Sequence, residues 1–155
     1  MSLFLLRLAL LVGVLGSVAS VAAHIATFGD ADLPSAVMAL HLGVFVAFIP
    51  VAIGLQTWFR LDDSRPPTPF GEAIKLLAFV RELPSWQKWL LGLVTAYATA
   101  NFAAHFITLF GVASPGDRLL TRMFSGHWIA FYVLSAVFAH RLLALRDREE
   151  PRPTR

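Results

Sequence analysis

Five histidines and no cysteine set the chemistry open to this chain of 155 residues. Without thiols there is no disulfide, no thiolate metal site, no covalent c-type haem attachment and no cysteine-held iron–sulfur cluster. Imidazole remains. It suits zinc, copper, iron and nickel, and it is the familiar axial ligand of membrane haem b. Four of the histidines, His24, His41, His105 and His127, fall inside long apolar runs. Ionisable groups in such runs are costly, and by default they mark a site or pair with another group. His140 stands apart, beside Arg141.

The runs themselves follow from composition. The chain is 57% hydrophobic and 15% charged. Soluble domains are near half apolar and about a quarter charged. A membrane-crossing helix takes about 20 apolar residues at ~1.5 Å each. The sequence therefore predicts four spans, over about 8–28, 35–59, 89–112 and 123–145. The expected fold is all-α, an up-down-up-down four-helix membrane bundle forming a single domain over 1–145. Residues 146–155, mixed in charge with two prolines, are expected to form a disordered tail. A signal-peptide reading of the first span, with cleavage after Ala23, stays open beside the uncleaved one.

Between the second and third spans the pattern changes. Pro66-Pro67-Thr68-Pro69 breaks the chain, Thr68 being placed to cap a helix whose first residue is Pro69. Over about 69–83, Phe70, Ala73, Ile74 and Leu77 share one face, and Glu72, Lys75 and Glu82 lie opposite. Too short to span, this segment reads either as an amphipathic helix lying in the interface or as one packed on the bundle or a partner.

Charge gives an orientation. Of the 13 Lys and Arg residues, only Arg118 and Arg122 fall on the side of the two short hairpin connections. The positive-inside bias then places both termini in the cytoplasm of a bacterial-type cell, with the chain in the inner membrane. Basic residues that flank spans point to anionic lipid headgroups and not to nucleic acid. Trp58, Trp86, Trp89 and Trp128 are expected as interfacial anchors.

In this frame the four histidines lie roughly 6–12 Å below the same outer boundary, one on each span. Tyr97, Asn101, His105 and Thr108 form one polar stripe; Ser17, Ser20 and His24 form another. His41 shares its face with Phe45, Phe48 and Ala52, and His127 shares its face with Phe131, Leu134 and Phe138. With helix axes ~8–10 Å apart, two diagonal haems at one depth would collide. One central haem could use His24 with His105, or His41 with His127. Alternatively all four imidazoles converge on one ion. No span carries Asp or Glu, which favours haem b, copper or iron over zinc. Asn101, Tyr97, Ser20 and Ser125 are the candidate supporting residues. A tetrapyrrole of the chlorophyll type, held by single histidines, falls in the same class.

The stretch Arg122-Met123-Phe124-Ser125-Gly126-His127-Trp128 concentrates unusual residues. It reads either as a functional segment, His127 being a ligand or quinol contact with Trp128 beside it, or as a helix cap with an anchor. No hydrolase triad, phosphate loop, paired-carboxylate or zinc-protease motif is present. The expected function is a small haem- or metal-binding electron-transfer subunit. The alternatives are a structural or accessory subunit with no cofactor, partnered by other membrane subunits or by copies of itself within the lipid bilayer, and a quinone- or proton-handling component.

Overall fold

The computed structural model describes residues 2–29, 34–61, 68–110 and 117–149. They form five helices and, among the described residues, no strand: α1 (Leu3–Ala26), α2 (Pro34–Leu61), α3 (Pro69–Arg81), α4 (Ser85–Phe110) and α5 (Asp117–Glu149). All but α3 are long and apolar enough to cross a membrane. The architecture is the expected all-α four-helix bundle with one short helix between its second and third long members.

Each long helix starts before the apolar stretch that announces it, and α2 and α5 also run on past its end. Hydropathy marks the residues suited to hydrocarbon, whereas backbone hydrogen bonding carries a helix on into polar sequence. Thus α5 begins at Asp117 and continues through Glu149. Residues 146–149, expected in a disordered tail, are helical; the rest of that tail lies outside the described residues. Ser125, read as a cap, is consequently an interior residue of α5.

Helix α5 is the hub. It packs most extensively on α1 and also meets α4 and α2. In its apolar window 44% of residues are buried, against 17% for α4, which touches the bundle along one edge. Close approach depends on small residues, as packing in lipid requires. A Cβ on Gly13 would stand 2.9 Å from the Ala136 backbone. Tyr132 is 2% exposed and wedges its ring against Gly16 and Gly43, where any Cβ would collide with it. Its hydroxyl donates to the Leu40 carbonyl oxygen at 2.6 Å, so one side chain of α5 ties down both α1 and α2.

Two apolar clusters fill the bundle. Ala23, Leu40, Ala47, Trp128 and Tyr132 pack at the end of the hairpin connections, called here the hairpin end. Leu6, Ala9, Val51, Phe79, Leu83, Val137, Phe138, Ala139 and Leu142 pack at the opposite end, beside α3. Trp128 is therefore a core residue, 3% exposed, and not the exposed anchor expected of it.

Helix α3 starts as its sequence specifies. Thr68 Oγ1 accepts from the Gly71 N–H at 3.1 Å, with Pro69 opening the helix. Its faces are set differently from the apolar-against-polar expectation. Phe79 is fully buried between Trp58 and Phe138, both at 5.3 Å between ring centroids. Lys75, expected on a polar outer face, is 4% exposed and donates to the Phe59 carbonyl oxygen at 2.7 Å. The last carbonyls of α2 lack intrahelical partners, and a lysine can bury its methylenes while its ammonium caps them. Phe70 and Leu77 face outward, 77% and 64% exposed.

Candidate functional site

The four histidines of the apolar runs gather toward the hairpin half of the bundle, but each is held by its own neighbours. His24 is buried near the end of α1. Its Nδ1 lies 2.5 Å from Ser125 Oγ on α5, and its Nε2 meets the Tyr97 hydroxyl on α4. Ser125 Oγ donates its own proton to the Arg122 carbonyl oxygen at 2.9 Å. It must then accept from His24 Nδ1–H, which leaves His24 Nε2 to accept from Tyr97. The imidazole has both nitrogens paired, with no lone pair left for a metal.

The network extends across the end of α1. Thr27 Oγ1 donates to the His24 carbonyl oxygen at 2.6 Å. The Arg122 guanidinium donates to the Thr27 carbonyl oxygen and lies 4.3 Å from the centre of the Phe28 ring. A cation at a helix C-terminus, bonded to a terminal carbonyl, is favourable on both counts. Asn101 Nδ2 donates to the Arg122 and Met123 carbonyl oxygens at 3.0 and 3.2 Å. Glycine at 126 makes room for it, since a Cβ there would stand 2.7 Å from Asn101 Nδ2. Of the four candidate supporting residues, Asn101, Tyr97 and Ser125 thus join this network. Ser20 is fully buried, with no partner for its hydroxyl among the described residues.

The other three histidines stand differently. His105 Nδ1 bonds the Asn101 carbonyl oxygen at 2.7 Å, and His127 Nδ1 bonds the Met123 carbonyl oxygen at 3.2 Å. A carbonyl only accepts, so in both rings Nδ1 carries a proton, and in the neutral ring the lone pair is then on Nε2. His41 is the reverse. Trp128 Nε1–H donates to its Nδ1 at 3.3 Å, so its proton is on Nε2.

Of the two histidine pairs considered for a central haem, the structure brings His41 and His127 around a common space. They line a cavity of about 380 Å³ between α2 and α5. The remaining walls are Val44, Phe45, Phe48, Phe124, Trp128 and Phe131. Phe48 and Phe131 meet edge to face at 6.0 Å. The volume falls in the range of small-molecule sites, and the walls are apolar and aromatic, as most of the lining of such sites is. Among the described residues, no group of three or more His, Asp or Glu stands close enough to hold one metal ion. The single four-imidazole centre is therefore not assembled there. The rings are turned to different neighbours.

Sequence reasoning missed three participants. All three fall in the stretch singled out from the sequence, but Arg122 was given no role beyond its charge, Trp128 was placed beside His127 or as an anchor and not as a donor to His41, and Phe124 was given no role of its own. The aromatic faces carrying His41 and His127 were readable from their spacing, and Phe45, Phe48 and Phe131 do line the cavity. Comparison with family models, with curated proteins and with solved structures finds no match to this chain.

Proposed function

We propose that this protein is a small subunit of a membrane redox assembly that holds a quinone-type ring in the cavity between α2 and α5. One observation carries the reading: His41 and His127 line the same aromatic cavity, and their Nδ1 atoms play opposite hydrogen-bonding roles. His41 Nε2–H suits a quinone carbonyl. The His127 Nε2 lone pair suits a hydroquinone hydroxyl. The phenylalanine walls supply the surface on which an aromatic ring packs. Placement of the chain in the cytoplasmic membrane with both termini inside, among other subunits or copies of itself, belongs to this proposal and rests on the distribution of Lys and Arg.

A second reading has its own support. A histidine whose Nδ1–H is fixed by a backbone carbonyl is in the usual posture of a metal ligand. His127 would then carry haem b, or a copper or iron ion, through Nε2. His41 joins as a second axial ligand only if it gives up the Trp128 bond. Purification in mild detergent, followed by solvent extraction, a visible spectrum and metal analysis, tests both. Extractable quinone that is lost with His127→Leu supports the first reading. A Soret band lost with the same variant replaces it with the second. A colourless, metal-free and quinone-free protein leaves the histidines as bundle contacts, and the chain as an accessory subunit.

A further inference from the structure

A second groove lies at the α3 end of the bundle, between α1, α4 and α5, with a volume of about 390 Å³. Leu10, Val14 and Val18 on α1, Val137 on α5, and Trp86 and Leu90 on α4 are among its walls. The wall surface is almost entirely hydrocarbon, so nothing inside the groove selects a polar occupant. Val14, Val18 and Trp86 are exposed, so its flank opens onto the surroundings of the bundle. Around helices long and apolar enough to cross a membrane, those surroundings are lipid chains. A cation stands in line with the groove. At about 100° per residue, Arg7 falls on the same arc of α1 as Leu10, Val14 and Val18, one turn nearer the helix start. Gly13 lies against Ala136 and Gly16 against Tyr132. That antiparallel register sets Arg7 level with Leu142, half a turn beyond His140 at the end of the groove. Arg7 is exposed, and its guanidinium meets no carboxylate among the described residues. Glu82, an acid at this end, is committed to Arg141 at 2.7 Å.

We propose that this groove holds one acyl chain of an anionic phospholipid whose phosphate pairs with Arg7. The hydrocarbon walls take the chain. The guanidinium, placed beyond the walls and open to the surroundings, takes the phosphate by bonding two of its oxygens at once. The dimensions suit a lipid in a leaflet. The apolar wall runs roughly 12 Å from Leu10 to Val18, and an arginine near a helix end carries its charge outward to headgroup level. Net charge selects the headgroup class. Arg60, Arg81, Lys88 and Arg148 stand exposed at the same end of the bundle. That surplus of positive charge favours a lipid of net negative charge over a zwitterion. This site is separate from the His41–His127 cavity and does not depend on the role assigned there.

The test is photolabelling of the full chain in phosphatidylcholine vesicles. Three probes with the same diazirine-bearing acyl chain are compared: phosphatidylglycerol, phosphatidylcholine and diacylglycerol. Phosphatidylglycerol is expected to label the groove walls on α1 and α4 about five-fold more than diacylglycerol, the worth of one basic side chain at a membrane surface. Arg7→Gln should bring it down to the diacylglycerol level. Lys88→Gln removes an equal charge from the side of α4 turned away from Leu90 and should leave the labelling unchanged. Equal labelling by phosphatidylglycerol and diacylglycerol in the unmodified chain overturns the proposal and makes the groove ordinary lipid-facing surface. Equal labelling by phosphatidylglycerol and phosphatidylcholine overturns the anionic class. An equal fall in Arg7→Gln and Lys88→Gln replaces the site with diffuse attraction to the whole basic end. Walls that stay unlabelled while two copies of the chain cross-link there show that a second copy, and not a lipid, covers the groove. The probe comparison on the unmodified chain decides the matter even if a variant fails to fold.

Discussion

His24 Nδ1 stands 2.5 Å from Ser125 Oγ, joining residues 101 positions apart at one depth of the bundle. Because Ser125 also donates back to its own helix, the bond has one direction, from imidazole to hydroxyl. Ser125→Ala removes the acceptor and leaves the buried Nδ1–H unpaired. The expected loss is about 1 kcal/mol, in line with polar contacts between membrane helices. Unfolding midpoints of the two single variants and of the double variant with His24→Phe give the coupling energy. A value near zero would show that the pair does not interact.

Tyr132 and Gly16 give a steric prediction. Gly16→Ala places a methyl group in the Tyr132 ring and should cost about 1–3 kcal/mol. The same substitution in a Tyr132→Ala background should cost much less, because the colliding ring is gone. Equal penalties in both backgrounds, read as shifts in detergent unfolding, would mean that α1 and α5 do not meet at this point.

Lys75 tests the attachment of α3. Lys75→Met keeps the methylene packing and deletes the donor to the Phe59 carbonyl oxygen. A loss of about 1–3 kcal/mol is expected, the cost of an unsatisfied buried acceptor. Leu77→Gln, on the exposed face of the same helix, should be nearly neutral in detergent. The reverse ranking would mean that α3 packs on the bundle by its other face.

Trp128 sets which nitrogen of His41 carries the proton. Trp128→Phe keeps an aromatic body in the core and removes the indole N–H, so the His41 proton is free to sit on either nitrogen. Quinone retention should fall about five-fold, the equivalent of one weakened hydrogen bond. Haem retention through His127 should persist or improve, since His41 Nδ1 is released. Parallel measurements of extractable quinone and of the visible spectrum on this variant separate the two ligands.

Arg122 fastens the end of α1 to α5 through the Thr27 carbonyl oxygen. Arg122→Met retains length and loses the donors and the charge. A destabilisation of about 1–2 kcal/mol follows from the lost cap and the lost helix-end charge. Amide exchange should quicken at the last turn of α1 before it does at the α3 end. Uniform quickening along α1 would argue against a local cap.

The sequence by itself determined the elements. Four apolar runs of spanning length, the Thr68–Pro69 start of α3 and the placing of His24, His41, His105 and His127 one on each run, toward its hairpin end, all follow from composition, capping chemistry and a fixed rise per residue. It also determined which residues share a helix face, so His41 with Phe45 and Phe48, and His127 with Phe131, were legible as aromatic-flanked imidazoles. What it left open was the rotation of each helix about its own axis. In lipid both sides of a span are apolar, so hydropathy does not say which side meets a neighbour; shape and hydrogen bonding between helices decide. Only the tertiary structure turned Lys75 onto the end of α2, sank Trp128 into the core and closed both nitrogens of His24 between Ser125 and Tyr97. That last step moved the candidate site. A histidine with both nitrogens paired is a strut, whereas His41 and His127, each bonded through Nδ1, line the cavity between α2 and α5 on which the proposed function rests.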